Sequence, residues 1–285
     1  KIAFVGRDGT FQQMFYVQGV GTGRGTGALS RLVDRLGGGA FGWGLVSTIE
    51  EAYRALAFSY QPGDEIYIFG FSRGAFTARS LAGLIRSSAI PPRTGVAKVP
   101  KAINWYRSGK ASTHPDTIAS FKLRLDINPD VVTSPKEATW RHENGHRAGL
   151  ALRIAYIGVW DTVEALGVPR DLSFLAGLLN GKYRFHNAAL SSSVRSARHA
   201  VAIDEKRRTF PPALWDNLPR LNAETTGDEQ PYSQMWFAGV HGSVGGGGDV
   251  VGLSNDTLMW IVKGAQAMGL EFEGDLLQWY DDQRD

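Results

Sequence analysis

The stretch that decides the fold is EIYIFGFSRGAFTARSLAGLI, Glu65 to Ile85. Its first part, EIYIFG, is rich in β-branched and aromatic residues and reads as a short buried strand. Its last part, Ala75 to Ile85, sets Phe76, Leu81, Leu84 and Ile85 roughly on one face of a 3.6-residue period, which reads as a helix. Between them lies Gly70-Phe71-Ser72-Arg73-Gly74, a serine flanked by glycines at a strand-to-helix turn, the arrangement of a nucleophile elbow. Such a turn is tight, and larger side chains at the flanking positions would clash, so glycine is favoured there. The turn lifts the Ser72 hydroxyl clear of the backbone and aims the amide of Arg73 at the place where an oxyanion would form. A bare GxSxG is weak in a chain with 35 glycines, and it is the flanking strand and helix that give it weight. The competing reading is an ordinary tight βα turn.

Working outward, three more strand-like runs end in residues with chemical potential. KIAFVGRDGT ends at Asp8-Gly9-Thr10, Leu152 to Thr162 carries Asp161, and Ser233 to His241 ends at His241. Near-continuous apolar strands alternating with helices predict a mostly parallel sheet covered on both faces, and ligands bind at the carboxyl ends of such strands. An alcohol is a poor nucleophile at neutral pH and needs a base, which in turn needs an orienting group. The chain order Ser72, Asp161, His241 is that of an α/β-hydrolase triad. In that role His241 takes the Ser72 proton and Asp161 fixes the imidazole tautomer. The oxyanion donors are then the amide of Arg73 and one from the Gly9 turn. Alternatives stand beside this reading. Asp204 or Asp249 is another choice of acid, and His114, His142, His146, His186 and His199 compete as bases.

Helices are expected over Val46 to Tyr60, with Ser47 as N-cap and Glu50 completing a capping box, over Asn187 to Asp204, and over Leu253 to Met268 with Ser254 as N-cap. The polar, proline-interrupted region 91–149 reads as an insertion or cap within a single domain spanning residues 1–285.

Other chemistries are disfavoured. With no cysteine there are no disulfides and no thiolate sites. His142-Glu143-Asn144-Gly145-His146 matches HExxH as letters, but Asn144-Gly145 favours a turn that breaks the helical face the motif needs. GRDGT resembles the aspartyl-phosphate motif DxDGT, yet Gly6 stands where its nucleophilic Asp belongs. The run Gly19 to Gly27 lacks the strand and acidic partner of a dinucleotide fold and the ending of a P-loop. No cofactor, no metal and no nucleic-acid partner is expected. The balance of 31 Lys and Arg against 28 Asp and Glu is mildly basic, and the cluster Lys206-Arg207-Arg208 reads as a solvated face or as a phosphate or lipid-headgroup contact. No run approaches the ~18 apolar residues of a membrane span, and the N-terminus does not read as a signal peptide. The composition fits a cytoplasmic origin.

The residues also carry a family resemblance. The segments DGT (8–10), YVQGVGTG (16–23), GFSRGAFTARSLAGLI (70–85), GVWDTVEALGVP (158–169), ARHAVAIDEKRRTFPPALW (197–215) and WFAGVHGSVGGG (236–247) together resemble the α/β-hydrolase-like family catalogued as domain of unknown function 2235. That family includes a class of type VI secretion phospholipase effectors. The resemblance implies an α/β-hydrolase fold, a triad at Ser72, Asp161 and His241, and, for secreted members, hydrolysis of phospholipid carboxylic esters after signal-peptide-independent export. The chain departs from the family pattern at Ser243, where an Asp is usual, and at Gly248, where an aromatic is usual. A longer stretch is also usual between Thr10 and Gln12.

The expected function is a serine esterase, lipase or phospholipase working through an acyl-enzyme, with contact to a lipid surface. Trp105, Phe174 and Trp215 would line an acyl-chain site or fill the core. The contrasting expectation is a non-catalytic hydrolase-like domain that binds lipid or a protein partner, and a third is acyl transfer to an acceptor other than water. Oligomeric state is left open.

Overall fold

The computed structural model describes residues 2–18, 39–163, 189–207, 210–225, 230–246 and 251–284. Helix α1 (Gly39–Ser59) leads into β1 (Ile66–Phe71) and α2 (Arg73–Ser88). There follow a 3-10 turn (Arg93–Lys98), α3 (Val99–Arg107), α4 (Ile118–Ile127), the short strand β2 (Val131–Val132), α5 (Pro135–Glu143) and the short strand β3 (Leu150–Ala151). The remaining elements are β4 (Ile154–Trp160), β5 (Val194–Ala202), α6 (Leu218–Ala223), β6 (Tyr232–Phe237), α7 (His241–Gly245), α8 (Val251–Ala267) and α9 (Gly274–Asp282). Among the described residues the centre is a four-stranded parallel sheet in the order β1-β4-β5-β6, with helices packed on it.

Strand β4 is buried on both faces, as a strand between parallel neighbours must be. Ile154 and Ile157 join Leu81, Leu84 and Ile85 of α2 in the main core. Tyr156 turns the other way, onto Ile261 and Ala265 of α8. Each fully buried Ile or Leu here contributes about 1.5–3 kcal/mol. The helix on that second face comes close. The Tyr156 hydroxyl donates to the Ile261 carbonyl at 2.8 Å, and a Cβ on Gly158 would lie 2.9 Å from the rings of Phe69 and Tyr156.

Segment 91–149 attaches at the far end of α2. Arg124, Glu137 and Arg141 are fully buried and paired: Arg124 Nε and Arg141 Nη2 each donate to the Glu137 carboxylate at 2.7 Å. Arg124 also donates to the Ser87 carbonyl at 3.0 Å, and Asn128 to that of Ile90 at 2.7 Å. These anchors sit at the C-terminal end of a 16-residue helix whose N-terminal end carries Ser72, about 24 Å away.

Four expectations are corrected. Residues 194–202 of the expected helix Asn187 to Asp204 form the central strand β5. Its Arg and Ala residues are helix formers, but a slot between β4 and β6 overrides propensity. Helix α1 starts at Gly39, so Ser47 is interior rather than an N-cap; the buried stripe Leu45, Ile49, Tyr53 and Ala57 begins before it. Helix α8 starts at Val251, so Ser254 lies in its first turn, where its hydroxyl donates to the Val251 carbonyl at 2.9 Å. The opening residues are no sheet strand among the described residues. They make isolated bridges, Ile2 to Phe272 and Val5 to Phe11, and Phe4 is largely exposed.

The HExxH letters fold as the turn chemistry dictates. Helix α5 stops at Glu143, Gly145 adopts φ 66°, and the amides of Gly145 and His146 return to the carbonyls of His142 and Arg141 at 3.3 and 2.9 Å. This is a Schellman end, and it takes His142 and His146 off a common helical face. The expectations resting on Gly19 to Gly27, Phe174, His186, Gly248 and Asp249 lie outside the described residues.

Candidate active site

Sheet register sets the site. Phe71 pairs with Trp160 at the carboxyl ends of β1 and β4, so the residues that follow, Ser72 and Asp161, leave the sheet side by side. Each stays tied to the next strand: the Ser72 amide donates to the Trp160 carbonyl at 2.9 Å and the Asp161 amide to that of Ala200 at 2.7 Å. A one-residue slip would send both side chains to the wrong face. Both residues hold positive φ, 57° at Ser72 and 36° at Asp161, a conformation costly for a residue with a Cβ.

The strand-to-helix turn has one obligatory glycine, not two. A Cβ on Gly70 would lie 2.6 Å from the carbonyl carbon of Gly74 and 2.8 Å from the Ala75 Cα, both backbone atoms that cannot move aside. A Cβ on Gly74 would meet nothing within 4 Å among the described residues. The expectation of a clash on both sides therefore holds only at Gly70.

His241 does not end its strand. Strand β6 stops at Phe237, a turn through Gly239 (φ 105°) follows, and His241 opens the five-residue helix α7. Asp204 and Glu205, just past the end of β5, pin this turn. Asp204 Oδ2 accepts the Gly239 amide at 2.7 Å, and Glu205 Oε2 accepts the His241 amide at 3.2 Å. The imidazole is then bracketed by the rings of Phe71 and Phe210, with centroids 4.6 and 4.9 Å away.

The structure brings together Ser72, Asp161 and His241. His241 Nε2 lies 2.8 Å from Ser72 Oγ, and His241 Nδ1 lies 2.6 Å from Asp161 Oδ2. Asp161 is buried, and its other oxygen accepts the Ala202 amide at 3.0 Å. Arg73 is the first residue of α2, where helix amides point toward Ser72. Gly9 is not part of the set. Its amide donates to Gly6 at 3.0 Å, that of Thr10 to Asp8 Oδ1 at 2.8 Å, and the turn is anchored on Glu271 through the Arg7 amide at 2.9 Å. Asp204 is engaged in holding the β6–α7 turn rather than in orienting a base.

Sequence reasoning missed the support around the site. The Arg207 guanidinium pairs with Glu205 at 2.8 Å, and it and the amides of Arg207 and His241 hold the Glu205 carboxyl down at about 2. Arg207 also stacks on Phe210 at 3.9 Å. Glu205, Lys206, Arg207, Asp204 and Val240 line a groove of about 520 Å³ next to His241. The one available signal was position: EKRRTF follows directly on a segment that had to be read as a strand first. Trp215 lies in the core, and Trp105 is half-buried against it. Among the described residues no group of three His, Cys, Asp or Glu side chains is arranged to hold a metal ion, and no helix is long and apolar enough to cross a membrane.

Comparison with known proteins places the chain in a family. An uncharacterized protein of Saccharomyces cerevisiae, YEL023C, is 27% identical over 193 residues, covering 68% of this chain and 24% of the yeast protein. The crystal structure of an uncharacterized protein from Pseudomonas aeruginosa aligns over 85% of this chain and 30% of its own length, at 21% identity and a TM-score of 0.39. The chain thus spans less than a third of either relative. Residues 2–264 match the model of the type VI secretion system (T6SS) phospholipase effector Tle1-like catalytic domain, and the chain belongs to that family.

Proposed function

We propose that this chain is a serine hydrolase domain of the α/β-hydrolase type that cleaves carboxylic esters of phospholipids through an acyl-enzyme. The observation that carries the reading is the unbroken line Ser72 Oγ–His241 Nε2–His241 Nδ1–Asp161 Oδ2, at 2.8 and 2.6 Å, on the carboxyl edge of a parallel sheet. Family membership supports the lipid substrate.

In this mechanism Ser72 attacks the ester carbonyl as His241 accepts its proton. The buried Asp161 carboxylate stabilises the imidazolium in a site that screens charge poorly. The Arg73 amide, at the head of α2, faces the developing oxyanion; one such donor is worth roughly 10²–10³ in rate. His241 returns the proton to the leaving alcohol, and water then repeats the sequence on the acyl-enzyme. The single domain is completed by segment 91–149, which we read as an insertion that buttresses α2 from the end remote from Ser72. Export by a type VI system, without a signal peptide, is part of the same proposal.

Hydrolysis of p-nitrophenyl esters of short and long acyl chains, beside a diacyl phospholipid, tests it. The wild type is expected to release fatty acid from the phospholipid and to favour long chains. Release of a phosphorylated headgroup without fatty acid would contradict carboxylic-ester cleavage. A folded wild type inactive on every ester would favour a binding module.

A further inference from the structure

His199 is a buried titratable group that the mechanism above does not use. It lies in the middle of β5, fully shielded from solvent, beside Val159 of β4 and Gln234 of β6. Its ring has two partners. Gln234 Oε1 lies 2.9 Å from Nδ1 and also accepts the Trp215 amide at 3.0 Å, so that atom is an acceptor and Nδ1 carries the proton. Nε2 then presents its lone pair to the Thr162 amide at 3.1 Å. Thr162 directly follows Asp161, the residue held at φ 36°.

We propose that His199 is a positioning residue for the triad acid: a buried imidazole fixed in one tautomer, it holds the strained Asp161–Thr162 turn and so keeps the Asp161 carboxylate on His241. This rests on the triad reading. Three observations carry it. The Thr162 amide, just past the end of β4, donates to a side chain rather than to a backbone carbonyl, and the imidazole is that acceptor. The tautomer is set by a side chain from a third strand. The neutral form is enforced as well, because a protonated ring would turn an N–H against the Thr162 N–H. Burial pushes the His199 ring down to about 4, and Arg79, stacked on the Trp215 that edges His199 at 5.3 Å, works the same way; the Gln234 bond and Asp161 oppose them.

The test compares wild type with His199→Phe, His199→Asn and His199→Gln on a soluble ester, p-nitrophenyl butyrate, with Ser72→Ala alongside. Phenylalanine fills the space but accepts no amide. Asparagine is too short to span both partners. Glutamine can accept from Thr162 and donate to Gln234. His199→Phe and His199→Asn are expected to lower kcat by about 10–100-fold with KM little changed, since a small misplacement of a catalytic group costs that much. His199→Gln is expected to restore most of it. A folded His199→Phe with wild-type kcat would overturn the inference. Should His199→Phe fail to fold, equal kcat in His199→Asn and His199→Gln would overturn it. An active Ser72→Ala would instead sink the underlying triad.

Discussion

At Ser72 the backbone stands at φ 57° and ψ −120°, and the residues around it divide into those that permit this conformation and those that merely accompany it. Gly70 permits it: Gly70→Ala forces a Cβ into the backbone of Gly74 and Ala75, and we expect loss of esterase activity and of stability together. Gly74 accompanies it. It lies inside α2 at negative φ with open space at its Cβ among the described residues. Gly74→Ala is expected to keep activity and to raise stability by about 0.5–1 kcal/mol, because alanine loses less backbone freedom in a helix. Thermal melts and ester assays on the two variants check this, and equal damage in both would contradict it. The GxSxG letters made the turn legible in sequence, but they weigh the two glycines equally. Only the crossing of β1 under the head of α2 separates them.

At the scale of elements, strands with dense β-branched or aromatic content were readable, and β1 and β4 lie where their composition predicts. Strand β5 was not readable. Val194–Ala202 contains Arg195, Arg198 and three alanines, a helical composition, and becomes a strand because β4 and β6 leave it no other partner. Read on a helix, His199 is one more competing base; on β5 it is a buried group of the sheet. Ser72, Asp161 and His241 stand out in sequence because each is read at a strand end. Ser72 and Asp161 do follow β1 and β4 directly, but His241 opens α7 after a turn past β6, and Glu205, Arg207 and Phe210 depend on how the chain returns over it. The polar composition of 91–149 likewise hid its buried network. Removing Glu137 leaves two guanidinium groups buried without a counter-charge. Glu137→Ala is therefore expected to cost about 3–5 kcal/mol in denaturant unfolding. Because the network joins α2 at the end away from Ser72, the kcat of the folded fraction should stay within a few-fold of wild type. A large kcat loss in fully folded Glu137→Ala would show that this end of α2 is coupled to the site.

For the whole molecule, pH enters through His199. Its ring is held at about 4 in the folded chain against an ordinary 6.5. Between those values the unfolded chain binds a proton that the folded chain refuses, so stability falls as pH falls. The contribution is complete above about pH 6.5, declines through the interval and is lost by about pH 4, amounting to about 3 kcal/mol. Urea unfolding at pH 7.5, 5.5 and 4.5 should show this loss in wild type. His199→Gln, which has no proton to take up, should show a correspondingly flatter profile. Parallel profiles would mean that the imidazole is not held neutral. The same burial that seats β5 beside the Asp161 strand is thus expected to make the fold sensitive to acid.

The deciding measurement is labelling by a fluorophosphonate probe, with the modified peptide identified by mass spectrometry. A nucleophilic Ser72 served by His241 and Asp161 predicts one label on the peptide carrying Ser72, absent in Ser72→Ala and slowed by a factor on the order of 10³ or more in His241→Ala. Labelling elsewhere, labelling that persists in Ser72→Ala, or a folded wild type that takes no label would contradict the serine hydrolase.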